Sequence, residues 1–432
     1  MSQSCGKRGE LCVNYVRNNN MNRSQFIKTN FPKFVRETPL EFNNKLSERF
    51  GAKIYLKRED LQTGRSYKIR GAFARMSQLT EEHKTKGVIC ASAGNHAQGV
   101  AYCCKEMRVK GTIVMPETTP KQKINMVKSF GEEWVTVLLV GDTFDAANHI
   151  ALQKASSEQL CFIPPFDDEW VIAGQGTVGI EIINQLGYSP DLVLVPVGGG
   201  GLAAGFCSVL SEISPETKVV GVEPTGAPSM TEALRNGAPI ELSQIDKFVD
   251  GAAVKCVGDL NFEICQNKLS KMLLVDEGKI CGTILQLYNE FGIVVEPAGA
   301  LTIAALEQIN PKEIKDKTLV LIVSGGNNDI TRTEEIRERW MLYEGLKHYF
   351  LIRFPQRPGA LKEFVSDVVG PTDDIVYFQF SSKTGRESGP AVVGIETINS
   401  NDRHSIEHKL QEKGFNFEYL EPNSLLYQQL IG

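Results

Sequence analysis

The chain is 432 residues long, 42% hydrophobic and 23% charged, with a formal net charge of −5. Such a length exceeds what one core usually serves and predicts two or three domains, while the mild acidity gives no electrostatic footing for nucleic acid. No apolar run reaches the length of a membrane span, and ten scattered cysteines without a Cys-x-x-Cys pair exclude a metal or disulfide framework and fit a reducing, cytoplasmic setting.

In chain order, residues 1–28 read as a disordered leader, in which Lys7, Arg8, Arg17, Arg23 and Lys28 stand against Glu10 alone. That excess of cations leaves import into an organelle open. From residue 29 to about 330, β-branched apolar runs alternate with helical-period segments, at Lys53 to Lys57, Gly87 to Ala91, Gly111 to Met115, Val135 to Val140, Asp191 to Val197, Lys218 to Val222 and Thr318 to Val323. This rhythm predicts an α/β domain of open parallel sheets, with a smaller subdomain over roughly 80–170. Near-continuous hydrophobicity in Leu192 to Val195 and Leu319 to Val323 is what strands covered on both faces require, and ligands then lie at their carboxyl ends. Residues 331–345 read as a linker helix, with Ile336, Trp340 and Tyr343 at helical spacing. Beyond it, over 346–432, strands at His348 to Phe354, Ile375 to Ser381, Ala391 to Thr397 and Phe417 to Leu420 alternate with helices at Ala360 to Val368 and Ser405 to Lys413. That order, βαββαβ, predicts an α+β ferredoxin-like domain.

Three segments carry the chemistry. Ser66-Tyr67-Lys68-Ile69-Arg70-Gly71 offers an amine that can condense with an aldehyde, with Tyr67 and Arg70 as neighbours able to lower its pKa. Ser92-Ala93-Gly94-Asn95-His96 follows a strand; Ser92 or Asn95 can cap the helix behind it, and Asn95 has the donor and acceptor atoms to hold a phenolic oxygen. Gly198-Gly199-Gly200-Gly201-Leu202 sits between a buried strand and a helix, where several N–H groups converge on an anion. This is neither Gly-x-Gly-x-x-Gly nor a Gly-Lys-Ser/Thr loop, so nicotinamide and ATP readings are weak. Ser324, ahead of Gly325-Gly326-Asn327, leaves the same sheet edge, and a hydroxyl facing a pyridine nitrogen suits elimination over long-lived carbanions. Together the segments describe a site for pyridoxal 5'-phosphate. His404 and His408 lack a third ligand, and Asp167-Asp168 needs no role beyond a turn.

On these residues the chain resembles the threonine dehydratase branch of the fold-type II pyridoxal-phosphate enzymes, which share a tryptophan synthase β-like fold of two subdomains. The likeness runs from about Lys33 to the C-terminus, in the short form with one ACT-like regulatory domain. It implies that Lys68 carries the cofactor as a Schiff base and removes the Cα proton, and that Asn95 meets the ring hydroxyl. It further implies that Gly198, Gly199, Gly200, Gly201 and Leu202 bind the phosphate, that Ser324 meets the ring nitrogen, and that Ser92, Ala93, Gly94, Asn95 and His96 hold the substrate carboxylate. Related serine racemases carry Ser where this chain has Ala93, so a second-face acid/base is missing and dehydration is favoured. Glu223, Ala227 and Ser229 match a cation site of some relatives, though Gly226-Ala227-Pro228 also reads as a turn. Arg353 to Leu361 resembles the first loop of ACT-like domains, which implies isoleucine inhibition relieved by valine, with a ligand-free oligomerisation module as the alternative; relatives are commonly tetramers, which implies a homotetramer. The activity implied is L-threonine to 2-oxobutanoate and ammonia, the first step towards isoleucine. A catabolic serine/threonine deaminase and a non-catalytic amino-acid-binding regulator are the alternatives.

Overall fold

The computed structural model describes residues 20–380, 388–422 and 424–431. The chain divides between Asp329 and Ile330 into two units. The first holds two sheets. The larger has the order β1-β2-β10-β7-β8-β9, formed by Leu40–Phe42, Lys53–Arg58, Thr318–Val323, Leu192–Pro196, Lys218–Pro224 and Leu269–Val275. Only β1 runs antiparallel to its neighbour. The smaller sheet is wholly parallel, in the order β5-β4-β3-β6, from Val135–Leu139, Gly111–Met115, Val88–Ala91 and Cys161–Phe162.

Every residue of β7 and of β10 is buried, so these strands read as unbroken apolar runs and not as alternating ones. Helices Gly201–Ile213 and Pro297–Ala304 pack on them. One core cluster gathers Val193, Val195, Phe206, Val320 and Ile322, and a second gathers Ile69, Cys90, Val100 and Ile113 around the smaller sheet. The register sets Val323 beside Arg58 and Leu321 beside Leu194, so the carboxyl ends of β2, β10 and β7 open at one sheet edge. The turns that follow these strands emerge there together.

Helix Asn20–Thr29 corrects the reading of residues 1–28 as a disordered leader over its last nine positions. Ser24 and Ile27 are buried, the helix packs along helix Glu169–Leu186, and Arg23 pairs with Glu169 at 2.7 Å. Burial of Ile27 alone is worth about 2 kcal/mol, which a free leader would forgo. Residues 1–19 lie outside the described residues.

The second unit opens with the 3-10 turn Ile330–Arg332 and helix Thr333–Tyr343, whose Ile336 and Met341 are buried. Its Arg337 makes a two-pronged contact with Glu396 at 2.9 and 2.6 Å, so the stretch expected as a linker belongs to this unit. The unit's antiparallel sheet, β12-β13-β11-β14, comprises Asp374–Phe380, Ser388–Glu396, Lys347–Pro355 and Asn416–Tyr419. The helical turn Ala360–Glu363 continues as a π-helix through Val368, and helix Asp402–Glu412 covers the same core of Phe350, Phe364, Val393 and Leu410. Among the described residues, no helix is long and apolar enough to cross a membrane.

Candidate active site

A cavity at the open sheet edge is lined by Tyr67, Lys68, Phe166, Gly198, Gly199, Gly200, Gly201, Leu202 and Gly251. Lys68 reaches it because β2 ends at Arg58 and a turn returns the chain to start helix Lys68–Met76. Its Nζ donates to the Pro165 carbonyl at 3.0 Å and stands 5.4 Å from the centre of the Tyr67 ring. Burial lowers its pKa to about 8, with the Glu296 carboxylate pulling the other way. Arg70 does not take the part expected of it. Its guanidinium points away into a fully buried network, donating to both oxygens of Glu59 at 2.8 Å and to those of Glu181 at 2.7 and 2.9 Å.

The glycine run follows β7, and helix Gly201–Ile213 follows it. Gly200 lies at φ +91, and a Cβ on Gly199 would stand 2.3 Å from the Phe166 ring, so no side chain fits and the main chain itself forms the wall. The Gly199 carbonyl is held from behind by Asn261 Nδ2 at 2.7 Å and by the Gly258 N–H at 3.1 Å. The opening N–H groups of the helix have no partner within it, which gives this wall the character of an anion cradle. Asp167, read from sequence as a mere turn residue, accepts from the N–H groups of Leu260 and Asn261 at 3.1 and 3.3 Å and so steadies the helix that carries Asn261. Asp168 caps helix Glu169–Leu186.

Helix Asn95–Met107 enters from the smaller sheet. A Cβ on its Gly99 would lie 3.2 Å from the Ile69 backbone, and this close approach brings Asn95 into the neighbourhood of Lys68. Neither Ser92 nor Asn95 caps the helix, contrary to expectation. Gly94 occupies the cap position, and Ser92 Oγ accepts from its N–H at 3.2 Å. The N-terminal N–H groups are thereby left for an anion. The His96 ring is buried against the Ile163 carbonyl at 2.9 Å, and burial followed by the charge of Lys68 lowers its pKa to about 3. A neutral, committed ring leaves only the backbone of His96 for a ligand.

Ser324 is 2% exposed at the end of β10, and its carbonyl accepts from the Tyr67 N–H at 3.2 Å. Two residues missed from sequence complete this side. Glu296, buried, accepts from Asn95 Nδ2 at 2.7 Å, and Asn327 Nδ2 donates to Asn95 Oδ1 at 2.8 Å. Burial raises the Glu296 carboxyl to about 7, with Asp250 adding to it and Asn95 and Lys123 opposing. The signal available was a single carboxylate inside the apolar run Ile293 to Ala305, directly before Pro297.

Of the residues expected at a cation site, Glu223 and Ser229 stand together in the structure. Glu223 faces donors on both oxygens: the N–H groups of Met230 at 2.6 Å and Thr231 at 3.0 Å, and the hydroxyls of Thr231 at 2.7 Å and Ser229 at 3.4 Å. These contacts anchor the start of helix Ser229–Asn236. Among the described residues no cluster of three or more His, Cys, Asp or Glu could hold a metal ion.

Residues 32–325 match the family model of pyridoxal-phosphate dependent enzymes, and residues 338–430 match that of the C-terminal regulatory domain of threonine dehydratase. The chain is 53% identical to a biosynthetic L-threonine dehydratase of Halalkalibacterium halodurans, over 92% of this chain and 95% of that protein. It is 48% identical to the Bacillus subtilis enzyme of the same name, over 92% and 94% of the two chains. The processed form of threonine deaminase isoform 2 from Solanum lycopersicum superposes with a TM-score of 0.70 at 40% identity, over 78% of this chain and 90% of that one.

Proposed function

The chain belongs to the family of pyridoxal-phosphate-dependent enzymes, and on that premise we propose that it is the biosynthetic threonine dehydratase that converts L-threonine to 2-oxobutanoate and ammonia. The observation that carries this reading is the meeting of Lys68 Nζ with the bare glycine wall in one cavity. The residues fit the cofactor: a cradle with no room for a Cβ suits its phosphate, an amide suits its ring oxygen, and a hydroxyl suits its ring nitrogen. When bound, pyridoxal phosphate supplies an electron-withdrawing ring that acidifies the Cα–H of an attached amino acid.

This chain's own residues do the rest. Lys68 would hold the cofactor through its Nζ, and burial, which brings its pKa down to about 8, raises the share of neutral amine that could take the Cα proton. The Gly198 to Leu202 turn would hold the phosphate, Asn95 the ring oxygen and Ser324 the ring nitrogen, to which a hydroxyl offers no negative charge. The N-terminal N–H groups from Gly94 to His96 hold the threonine carboxylate, and Ser92 shapes their turn. Ala93 offers no proton to the second face of Cα, which favours loss of water over inversion.

The match of residues 338–430 to the threonine dehydratase regulatory domain supports feedback control, and we assign isoleucine as the inhibitor, valine as its antagonist, a homotetramer as the assembly and the cytoplasm as the location. The test is 2-oxo-acid release from L-threonine by the cofactor-loaded protein, with and without isoleucine. Turnover suppressed by isoleucine is expected. A loaded protein inert towards threonine would refute the activity, and turnover indifferent to isoleucine would refute the assigned effector.

A further inference from the structure

Asn95 is held at both ends of its side-chain amide by residues from a different part of the chain. Its oxygen accepts from Asn327 Nδ2 at 2.8 Å, and its nitrogen donates to Glu296 Oε1 at 2.7 Å. Asn327 is itself fixed, since the other hydrogen of its amide goes to the Gly64 carbonyl at 2.9 Å. Glu296 is equally confined: its N–H donates to the Gly325 carbonyl at 3.2 Å, and a Cβ on Gly325 would stand 2.3 Å from its Oε1. With Glu296 ionised, an amide rotated by half a turn would set its oxygen against the carboxylate and its hydrogens against those of Asn327. Two hydrogen bonds would become two repulsions, so one orientation survives. In it the Asn95 oxygen is occupied and one N–H remains unspent.

We propose that Glu296 is the positioning residue of the cofactor site: with Asn327 it clamps the Asn95 amide so that an N–H, and not the carbonyl oxygen, faces the phenolic oxygen of pyridoxal phosphate. This rests on the reading that Asn95 meets that oxygen. Hydrogen-bond polarity matters there because a phenolate only accepts, and a rotatable amide would present the wrong atom in part of the population. Glu296 acts through Asn95 and need not touch the cofactor.

The test compares Glu296→Ala, Glu296→Gln, Asn327→Ala and Asn95→Ala, reading the equilibrium affinity of each protein for pyridoxal phosphate and the induced circular dichroism of the bound cofactor. Glu296→Ala is expected to weaken affinity about tenfold, the worth of one buried hydrogen bond, and to diminish the dichroic band. Glu296→Gln is expected to restore both, because a carboxamide oxygen accepts the same bond. Asn327→Ala, which releases the other end, is expected to behave as Glu296→Ala and provides the reading if that variant does not fold. Glu296→Ala or Asn327→Ala with parental affinity and dichroism, beside an impaired Asn95→Ala, overturns the clamp alone. Glu296→Gln as damaging as Glu296→Ala also overturns it, since charge and not orientation would then be the requirement. An unimpaired Asn95→Ala overturns both the clamp and the reading it rests on.

Discussion

Arg70→Met removes the guanidinium from a site where everything within reach is buried. Arg70 makes six hydrogen bonds: two to Glu59, two to Glu181, and one each to Thr177 Oγ1 and the Arg36 carbonyl at 3.2 Å. Lys57 donates to Glu181 at 2.7 Å, so the network holds two buried cations against two carboxylates. Burial alone would raise the Glu181 carboxyl, yet Arg70, followed by Lys57, outweighs it and holds that group at about 2. Without Arg70 two enclosed carboxylates keep Lys57 as their buried cation, with the partly exposed Lys28 3.5 Å from Glu181, a loss of about 3–5 kcal/mol. At about 2 °C per kcal/mol for a domain of this size, the thermal transition of the first unit falls by about 6–10 °C. Calorimetry of the cofactor-free protein reads this. Arg70→Lys keeps the charge but at most three of the six bonds, and falls between the two proteins. A transition of Arg70→Met within about 2 °C of the parent would refute the reasoning, because it would mean the network carries no more than about 1 kcal/mol.

Lys68→Ala is expected to lower turnover of L-threonine by at least about 10³-fold, the scale of a lost acid–base group, and to abolish the visible absorption of lysine-bound cofactor; a coloured, active variant would overturn the assignment. Gly199→Ala drives a methyl to 2.3 Å from the Phe166 ring, and overpacking of about 1–3 kcal/mol predicts cofactor affinity about 10- to 100-fold weaker by equilibrium titration. Glu296 has a folded-state pKa raised from 4.5 to about 7, so the folded protein keeps a proton that the unfolded chain releases. Its stabilising share is complete below pH 4.5 and is lost as pH rises to about 7, about 3 kcal/mol in all. Denaturant midpoints of the cofactor-free protein should therefore fall across that window and fall less in Glu296→Gln; Glu223, also raised to about 7 by burial, keeps part of the slope.

The legible parts of this fold are those whose physics is local. β7 and β10 announced themselves because strands sheltered on both faces must be apolar at every position, and the second unit's strand–helix order is regular enough to read by period. β9 escaped because its Leu269–Val275 mixes exposed and half-buried positions at a sheet edge, and β6 because two residues carry no period. Helix Asn20–Thr29 escaped because its apolar positions are few and its holding contact, Arg23 to Glu169, spans 146 residues of sequence. In the site, Lys68 and the glycine run were visible as short motifs with their own chemistry. Glu296, Asn261 and Asp167 were not, since each acts by a hydrogen bond to a backbone or amide that no local spacing predicts.

That division follows from how such a site is built. A wall of bare backbone can bind an anion only if its carbonyls are turned away, and nothing in four glycines enforces this. The Gly199 carbonyl must be held from outside, by Asn261 and Gly258, and Asn261 is itself set by Asp167 on a third segment. Losing Asn261 would leave the Gly199 carbonyl held by the Gly258 N–H alone, and so looser against a bound phosphate, without touching any atom that faces the cavity. Asn261→Ala is thus expected to weaken cofactor binding about tenfold while the affinity of a cofactor-loaded enzyme for threonine, read as KM, stays within about twofold. A variant in which KM rises and cofactor affinity does not would show that Asn261 serves the substrate and not the glycine wall.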